Sequence, residues 1–332
     1  MSELLSIREA QRKLIATARK PAAESCAPEK AYARVLTEAI YSPLNLPPFA
    51  NSSMDGFAVR SQDVTSAAAT SAVVLPVKMD IPAGTSQVLD LPAGTAARIL
   101  TGAPMPQGAD AVVAVEDTDQ LSQAQNESLP ERVGILRAVK AGENVRRAGE
   151  DVQLGQLVLA KGRVLQPQDI GLLVSLGVRQ VSVARKARIA LFSSGDELLR
   201  GDEPMSAGKI YDSNRYVLTG LLEAAGAEVI QLGIARDNRQ NVIETLDQAL
   251  HDSPDLIVSS AGVSVGVYDF VQQVISENGE LTFWKVNMRP GKPIAFGNYK
   301  GIPFLGLPGN PVSAYVGCTV FALPYVRALH GL

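Results

Sequence analysis

Histidine and cysteine are almost absent from this chain of 332 residues, which contains two of each. The cysteines, Cys26 and Cys318, lie far apart, so neither a disulfide framework nor a zinc knuckle is indicated. The histidines, His251 and His330, lie among ordinary helix-forming residues, which argues against a Ser-His-Asp triad and a histidine-ligated metal. A metal in this protein should therefore be a hard cation such as Mg²⁺, held by carboxylate and phosphate oxygens.

The chain also lacks a strong charge of one sign and a long hydrophobic run. Its formal net charge is −3, with no hint of a face rich in lysine and arginine, so we expect no nucleic-acid partner. No uninterrupted run of about 18 apolar residues suggests a membrane span. The N-terminal segment MSELLSIREAQRKL is charged throughout, unlike a signal peptide. We therefore expect a soluble, cytoplasmic protein without a membrane partner.

The chain has two halves of different texture. In the first, apolar residues recur at helical spacing over residues 1–40, prolines interrupt the pattern at 42–53, and short apolar segments predict strands over 56–139. From Ala187 onward, apolar segments of strand length alternate with amphipathic ones, which predicts a parallel sheet with helices on both faces. The predicted helices of this half lie at 213–226, 238–250, 268–279 and 310–329, and the predicted strands at 188–193, 228–233, 255–260, 281–286, 293–299 and 302–307.

Two strand-to-helix turns of the second half are rich in serine and glycine: SSGDEL at 193–198 and SSAGVSVGVYD at 259–269. Free backbone N–H groups and the helix dipole attract anions at such turns. Neither turn has the Gly-Lys-Ser/Thr of a P-loop or a GxGxxG pattern, and each alone fits tight packing as well as phosphate binding. Because open parallel sheets bind ligands outside the carboxyl ends of their strands, two such turns favour a phosphorylated ligand.

Acidic and basic residues at other turns allow two interpretations each. Asp212 and Asp237 follow predicted strands and could be helix N-caps or ligands. Lys285, Arg289 and Lys292 surround a rigid Pro-Gly-Lys-Pro sequence, which suits an oxyanion, with a solvated basic edge as the alternative.

Two further turns have ready structural explanations. In GLPGNPVSAY at 306–315, Asn310 is the predicted N-cap and Pro311 the first helical residue, which leaves a helix N-terminus without acidic residues at the same sheet edge. In the first half, Asp55 precedes Gly56 and would ordinarily be a turn former.

Eight segments resemble the motifs of one protein family. They follow the family's order and cover most of residues 1–328: NSSMDGFAV, RILTGAPMPQGADAVV, GENVRRAGED, ALFSSGDEL, IYDSNRYVL, AGVSVGVYDF, VNMRPGKPIAFG and GLPGNPVSAY. The family is that of the molybdopterin molybdenumtransferases, the MoeA proteins, whose fold also forms the E domain of gephyrin and of its plant counterpart. Eight motifs in register identify the chain as a member of this family.

The resemblance implies an α/β multidomain fold and a homodimer. The first domain would be discontinuous and elongated (1–43 and 142–184), with a small β-rich domain inserted at 44–141. A three-layer α/β domain of the MogA/MoaB type, related to the molybdopterin adenylyltransferases, would follow at 185–328 and bind molybdopterin. Members normally continue into a fourth, β-rich domain, which this chain, ending at Leu332, lacks through either truncation or natural loss, two alternatives that the sequence does not separate.

The resemblance also implies a reaction. Its substrates would be molybdate and adenylated molybdopterin, and the enzyme would insert the metal at the dithiolene and release AMP with the help of Mg²⁺. The active site would be shared between the subunits, with transfer contacts to molybdopterin adenylyltransferase and to molybdoenzyme apoproteins. Two alternatives stay open: a molybdopterin adenylyltransferase, which the α/β half alone resembles, and a non-catalytic scaffold like gephyrin.

Residues that match the family's motifs receive expected roles. The catalytic residues would be Asp55, Thr101, Asp237, Asp269 and Lys285. The three aspartates among them would lie nearest Mg²⁺, although the sequence does not separate a metal ligand from a carboxylate that positions water. Asp151 matches another acidic position of the family. Residues expected to bind the substrate or its anions are Ser194, Gly195, Glu197, Asp212, Ser260, Gly262, Ser264, Gly266, Arg289, Lys292, Pro308, Gly309 and Pro311.

The chain departs from the family pattern at two positions. Many members have two glycines where this chain has Ala261-Gly262, and the methyl group of Ala261 would crowd a phosphate if the position needs a positive φ. Many also carry an acidic residue where this chain has Val267, so one possible metal contact is lost. Asp269 is retained, and we still expect activity.

Overall fold

A computed structural model of the chain describes residues 4–87, 89–121, 128–261 and 270–332, apart from the side chain of Trp284. The chain divides into two compact units, each with its own sheets and core. The α/β unit comprises Met1–Glu38, Ala160–Leu173 and Arg179–Leu332, and the β unit comprises Ala39–Leu159 and Val174–Val178. The finer domain bounds given above remain a prediction.

Within the described ranges the chain forms seven α-helices: α1 Ile7–Ile15, α2 Pro167–Ser175, α3 Ser213–Ala224, α4 Arg239–His251, α5 Phe270–Asn278, α6 Pro311–Gly317 and α7 Leu323–His330. A π-helical turn, Cys318–Ala322, joins α6 to α7, so that one continuous helix runs from Pro311 to His330. Short 3₁₀ helices lie at Pro28–Lys30, Ser61–Val64 and Val115–Asp117.

The same described ranges contain nineteen strands: β1 Ala23–Cys26, β2 Ile40–Tyr41, β3 Asn51–Ser52, β4 Gly56–Val59, β5 Val73–Ile81, β6 Ala96–Ile99, β7 Ala111–Ala114, β8 Arg132–Ile135, β9 Val145–Arg146, β10 Leu157–Leu159, β11 Val181–Ala184, β12 Arg188–Ser194, β13 Leu198–Leu199, β14 Ile210–Tyr211, β15 Glu228–Ala235, β16 Leu256–Ser260, β17 Gly279–Lys285, β18 Pro293–Tyr299 and β19 Ile302–Leu307.

The α/β unit is built around a six-stranded sheet with the order β15-β12-β16-β19-β18-β17. Strands β15, β12, β16 and β19 are parallel, whereas β18 pairs antiparallel with β19, and β17 antiparallel with β18. β17 therefore runs in the direction of the parallel strands, and its hairpin to β18 (286–292) lies where those strands end. We call this the carboxyl edge: the residues that follow β12, β15, β16 and β19, together with the β17–β18 hairpin.

Helices cover both faces of this sheet, as predicted. Alternate residues of β12 face opposite ways: Leu191 shares a core cluster with Leu222 of α3, whereas Phe192 shares the other with Leu246 of α4 and Ile275 of α5. α1 and the C-terminal helix lie on the α3 side. Burial on both faces explains why these strands are continuous apolar runs in the sequence rather than alternating ones.

The C-terminal helix, Pro311–His330, is long and apolar enough to cross a membrane by length and composition alone. Half of its apolar window is buried inside the protein, where Phe321, Tyr325 and Leu329 belong to the core of the α/β unit. Burial in the same helix raises the pKa of the Cys318 thiol to about 12. A core helix passes the same test of length and composition, so this helix is weak evidence for a membrane span.

The β unit contains a five-stranded sheet with the order β7-β4-β6-β5-β8. Its strand β4 pairs with both β6 and β7, and its residues are buried. A Cβ atom on Gly56, the first residue of β4, would come 2.0 Å from the carbonyl oxygen of Val113, so only glycine fits there.

The predicted helical pattern over residues 1–40 is wrong beyond its first part. α1 ends at Ile15, and residues 23–26 form a strand that pairs with β11. Val35 and Leu36, whose spacing suggested a helix, lie in isolated β-bridges to distant segments. Two prolines soon after α1 lack the backbone N–H that a helix needs, which accounts for the early end of the helical region.

His330 makes the stability of the protein depend on pH. Its Nε2 atom accepts a hydrogen bond of 3.3 Å from the backbone N–H of Ala187. Burial, and then the charge of Arg34, lower the pKa of His330 below its ordinary value, so the folded state favours the neutral ring. The pKa of His330 is therefore lower in the folded state than in the unfolded state, where it is about 6.5. As the pH falls below that value, the unfolded state binds more protons than the folded state. Stability that is fully present above the unfolded pKa is then lost.

We therefore expect the free energy of unfolding, measured by urea denaturation, to fall more for the wild type than for His330→Gln between about pH 7.5 and 5.5. The glutamine keeps an acceptor oxygen but does not titrate. His251→Gln, a change at an exposed histidine of α4, is the control and should follow the wild type. Equal pH slopes for the wild type and His330→Gln would contradict the prediction.

Candidate active site

Two aspartates hold each other in place where β12 and β15 end. Asp237 accepts hydrogen bonds from the Ser194 hydroxyl on Oδ1 (3.3 Å) and from the Asp196 backbone N–H on Oδ2 (3.2 Å). The Asp237 backbone N–H in turn donates to Asp196 Oδ1 (3.3 Å). Among the described residues, no basic side chain forms an ion pair with either aspartate. The Lys209 ammonium and the Arg236 guanidinium donate to the backbone carbonyl of Asp196 (2.5 and 3.4 Å), so basic groups lie nearby, but neither pairs with a carboxylate, and both carboxylates can still meet a cation.

Gly195, between Ser194 and Asp196, leaves room for the side chain of Glu197. Its φ is +151°, and a Cβ atom would come 2.3 Å from Glu197 Oε2. The Arg236 guanidinium donates to the backbone carbonyl of Leu198 (3.2 Å) and so fastens the same turn. This turn favours glycine at position 195 because L side chains rarely adopt so positive a φ, and the carboxylate of Glu197 occupies the space that a side chain would take.

Helix α3 begins at the same edge with Asp212. Asp212 Oδ1 accepts a hydrogen bond of 3.2 Å from the backbone N–H of Arg215, so the N-cap interpretation is confirmed. Its second oxygen, Oδ2, is buried and has no hydrogen-bond partner among the described residues. A buried carboxylate oxygen without a donor is costly, which distinguishes Asp212 from an ordinary exposed cap.

Asn214, in the first turn of α3, connects three elements. Its Nδ2 atom donates to Ser260 Oγ at 2.7 Å and to the backbone carbonyl of Gly309 at 2.8 Å. Ser260 is the last residue of β16, and Gly309 lies in the turn after β19. One buried side-chain amide therefore links α3 to the ends of two adjacent strands.

Ala261 follows β16 with a φ of +75°, so the position does need a positive φ. Its backbone N–H donates to the carbonyl of Leu307 at 2.9 Å. A Cβ atom on Gly309 would come 3.1 Å from the Ala261 Cβ, which means that the methyl group fills the space beside that turn. The next segment, 262–269, is outside the described residues, and with it the predicted site residues Gly262, Ser264, Gly266 and Asp269 and the departure at Val267.

The β17–β18 hairpin brings Lys285, Arg289 and Lys292 to the carboxyl edge, with all three side chains exposed. None of them forms an ion pair with a described carboxylate. A hydrogen bond of 3.1 Å from the Val286 N–H to the Lys292 carbonyl closes the hairpin, and Gly291 has a φ of +100°. The positive charge of this hairpin is therefore available to an anion.

The turn after β19 contains the predicted residues Pro308, Gly309 and Pro311. Pro308 is buried, whereas Gly309 and Pro311 are exposed. Asn310 Oδ1 accepts a hydrogen bond of 3.2 Å from the Ser313 N–H, and Pro311 is the first residue of α6, as predicted.

The β unit contains Asp55 and Thr101 in direct contact. Asp55 Oδ1 accepts hydrogen bonds from the Thr101 backbone N–H (2.7 Å) and hydroxyl (2.8 Å). No described residue donates to Asp55 Oδ2, and both residues are exposed. Asp55 is thus more than a turn former, since it joins two loops. Asp151, in the same unit, forms an ion pair of 2.5 Å with Arg146.

Comparisons with known proteins assign the chain to a family. The profile of the MoeA N-terminal region (domain I and II) matches residues 5–177, and that of a probable molybdopterin binding domain matches residues 190–328. The chain is 39% identical over 303 residues to the molybdopterin molybdenumtransferase of Haemophilus influenzae, which covers 91% of this chain and 72% of that protein. The chain belongs to the molybdopterin molybdenumtransferase family.

Other members agree with this assignment. Identity to the molybdopterin molybdenumtransferase of a Nostoc species is 41% over 303 residues, covering 90% of this chain and 67% of that protein. The crystal structure of the molybdopterin biosynthesis MoeA protein from Pyrococcus horikoshii superposes with a TM-score of 0.81 at 33% identity, covering 98% of this chain and 80% of that one. The protein is therefore a transferase of molybdenum cofactor biosynthesis, with the α/β multidomain fold that was predicted.

Two residues of this transferase's carboxyl edge are absent from the residues that sequence reasoning selected. Asp196 lies between Gly195 and Glu197 in a motif already singled out, and only the contact with Asp237 distinguishes it. Asn214 lies in the first turn of α3. Asparagine is a poor helix former, so its presence next to the capping Asp212 was a signal of a tertiary role.

The oxygen donors at the ends of β12 and β15 suit Mg²⁺. This ion is usually bound by one or two carboxylates, with substrate phosphates and water completing its coordination, and Asp196 and Asp237 supply such a pair. In the part of the chain that the structure describes, no cluster of three or more His, Cys, Asp or Glu side chains could hold a metal. The predicted set of Asp55, Asp237 and Asp269 remains a prediction.

The backbone at Ala261 yields a test by substitution. A left-handed conformation costs an L-residue roughly 1–2 kcal/mol, and glycine adds roughly 0.5–1 kcal/mol of unfolded-state entropy, so we expect Ala261→Gly to change the free energy of unfolding by about 0 to +1.5 kcal/mol. Ala261→Val should lose more than about 2 kcal/mol, because a β-branched side chain at this φ also meets Gly309.

Urea denaturation measures both effects. Ala33→Gly is the matched control, since Ala33 also has a positive φ (59°) in the α/β unit. An Ala261→Val protein as stable as the wild type would show that the backbone at position 261 is not left-handed.

Proposed function

We propose that this transferase inserts molybdate into adenylated molybdopterin and releases molybdenum cofactor and AMP, with Mg²⁺ assisting. The observation that carries the proposal is the presence, at one sheet edge, of both the Asp196–Asp237 pair and the basic β17–β18 hairpin. A carboxylate pair suits a hard cation, and exposed lysine and arginine side chains suit phosphate or molybdate oxygens. A reaction between two anionic substrates needs both.

In this proposal the residues of the carboxyl edge have distinct roles. Asp237 and Asp196 would hold Mg²⁺, which when bound supplies charge neutralisation and polarisation of the phosphoanhydride. Arg289 can meet a tetrahedral oxyanion with two parallel hydrogen bonds, whereas Lys285 and Lys292 act as point charges. The Ser194 hydroxyl, by donating to Asp237 Oδ1, fixes the direction in which that carboxylate presents its remaining lone pairs.

We also propose a cytoplasmic homodimer whose active sites are shared between subunits, without membrane or nucleic-acid partners. The support is the distribution of the predicted residues: the Asp55–Thr101 pair belongs to the β unit, and the Asp196–Asp237 pair belongs to the α/β unit. A family resemblance that implies a dimer adds to it. The dimer would receive its substrate from molybdopterin adenylyltransferase and pass its product to molybdoenzyme apoproteins.

The direct assay supplies adenylated molybdopterin, molybdate and Mg²⁺ to the purified protein and follows AMP by chromatography. Release of AMP that requires molybdate supports the proposal. Consumption of ATP together with free molybdopterin would instead indicate an adenylyltransferase. The absence of both reactions would indicate a scaffold.

Asp237→Asn should lower the rate of AMP release at least about thirtyfold, or about 2 kcal/mol of barrier. The asparagine side chain has nearly the same shape and keeps an acceptor oxygen, so the turn should fold, but it removes the negative charge that faces the cation. Asp252→Asn, at the exposed C-terminal cap of α4, is the matched control and should stay within about threefold of the wild type. Turnover by Asp237→Asn within that same range, with unchanged circular dichroism, would reject the role of Asp237.

A shared site predicts complementation between two inactive variants. Asp55→Ala and Asp237→Ala chains, mixed and allowed to exchange subunits, should regain about a quarter of the wild-type sites. About half of the dimers are then mixed, and each mixed dimer has one site with both changes and one with neither. If each site lay within one chain, every site would keep one change and the mixture would stay inactive. Exchange is verified independently by mass spectrometry of differently tagged chains.

A further inference from the structure

Asn214 uses both hydrogens of its side-chain amide. It is only 9% exposed, and its Nδ2 atom donates to Ser260 Oγ (2.7 Å) and to the carbonyl of Gly309 (2.8 Å). These acceptors determine which amide atom faces them. After a rotation by 180°, the amide oxygen would face the Gly309 carbonyl oxygen, and no hydrogen would lie between them. The side chain therefore has one workable orientation.

The bond to Gly309 fixes the orientation of the Gly309–Asn310 peptide. This peptide is trans, so its C=O and N–H point in opposite directions. Because the carbonyl faces the buried side chain of Asn214, the N–H of Asn310 points away from it. Within the described part of the chain no group accepts a hydrogen bond from this N–H, which lies at the carboxyl edge.

The bond to Ser260 acts on the neighbouring strand. Ser260 pairs with Leu307 in the register of β16 and β19, so Asn214 spans two adjacent strand ends. The Ala261 methyl group, one residue further, packs beside Gly309. Asn214 thus holds both the spacing of these strand ends and the direction of one peptide between them.

We infer that Asn214 is a positioning residue for the transferase reaction: it holds the Gly309–Asn310 peptide so that the Asn310 N–H donates to a tetrahedral oxyanion of a substrate. The inference rests on the proposed function, because the oxyanion is a phosphate of adenylated molybdopterin or molybdate itself. Asn214 does not touch the anion. Without its two hydrogen bonds the peptide is free to rotate, and the anion loses a preorganised donor.

Asn214→Leu tests this inference with little change of volume and no change of charge, because it removes both donated hydrogen bonds without placing a negative charge beside the anion. We expect the KM of one anionic substrate to rise at least about tenfold, and kcat to stay within about threefold, since the ground-state anion already carries its charge. A rise confined to adenylated molybdopterin assigns the oxyanion to phosphate. A rise confined to molybdate assigns it to that ion.

The matched control is Asn278→Leu. Asn278 Nδ2 donates to the Val274 carbonyl at 2.9 Å, at the end of α5 and away from the carboxyl edge, so the same chemical change there should leave both KM values unchanged. Circular dichroism at the assay temperature verifies that each variant is folded, which separates positioning from a loss of folded protein. If Asn214→Leu does not fold, Asn214→Ser replaces it, because a hydroxyl keeps one donor, and a smaller rise in the same KM is expected.

Both KM values within about threefold of the wild type, in a folded Asn214 variant, would overturn the inference. If the wild type itself releases no AMP, the proposed function fails. Calorimetric binding of inorganic molybdate and of AMP then decides the positioning role alone. Weaker binding of either probe by Asn214→Leu, with Asn278→Leu unchanged, supports that role, and equal binding by all three proteins rejects it.

Discussion

Parallel pairing of β15, β12, β16 and β19 brings the carboxyl ends of all four strands to one edge of the sheet, and the position of every functional group in the α/β unit depends on it. The described turns after β12, β15 and β19 carry polar side chains. The chain reverses from β17 into β18 at the basic hairpin, and from β18 into β19 at the opposite edge, so the hairpin lies at the same edge as those turns. Strand direction therefore places the carboxylates after β12 and β15 and the cations of the hairpin along one edge, with the ends of β16 and β19 between them.

The sequence predicts those features that depend on local pattern. Alternating apolar runs and amphipathic segments predict the covered parallel sheet, and the general rule that ligands bind beyond strand ends selects residues at those ends, such as Ser194 and Asp237, as candidates. The same periodicity fails over residues 23–40, where Val35 and Leu36 are apolar because they bridge to distant segments rather than because they share a helix face. Local spacing does not distinguish these two causes of burial.

Contacts between distant turns are what the sequence alone could not supply. The sequence does not distinguish Asp196, because its significance lies in the reciprocal hydrogen bonds with Asp237, on a different turn. The two donated bonds of Asn214 likewise join segments far apart in the chain. Ala261 is an intermediate case: the local pattern predicts that a positive φ would matter there, and only the backbone shows that it occurs. A left-handed alanine beside a binding turn is a strained conformation that the surrounding hydrogen bonds must hold.

The hydrogen bonds that hold the aspartates also limit how the oxygens of each carboxylate can coordinate a cation. Asp55 Oδ1 already accepts two hydrogen bonds from Thr101, so a cation can reach this carboxylate through Oδ2 alone. Each oxygen of Asp237 accepts one hydrogen bond and keeps one lone pair, so the Ser194 hydroxyl and the Asp196 N–H limit the directions from which a cation can approach this carboxylate. Ca²⁺ commonly takes both oxygens of a carboxylate in its large coordination shell, whereas Mg²⁺ takes one oxygen per carboxylate in a strict octahedron. If Mg²⁺ assists the reaction as proposed, a carboxylate restricted to one oxygen, such as Asp55, would suit it better than the larger ion through geometry, without any difference in charge.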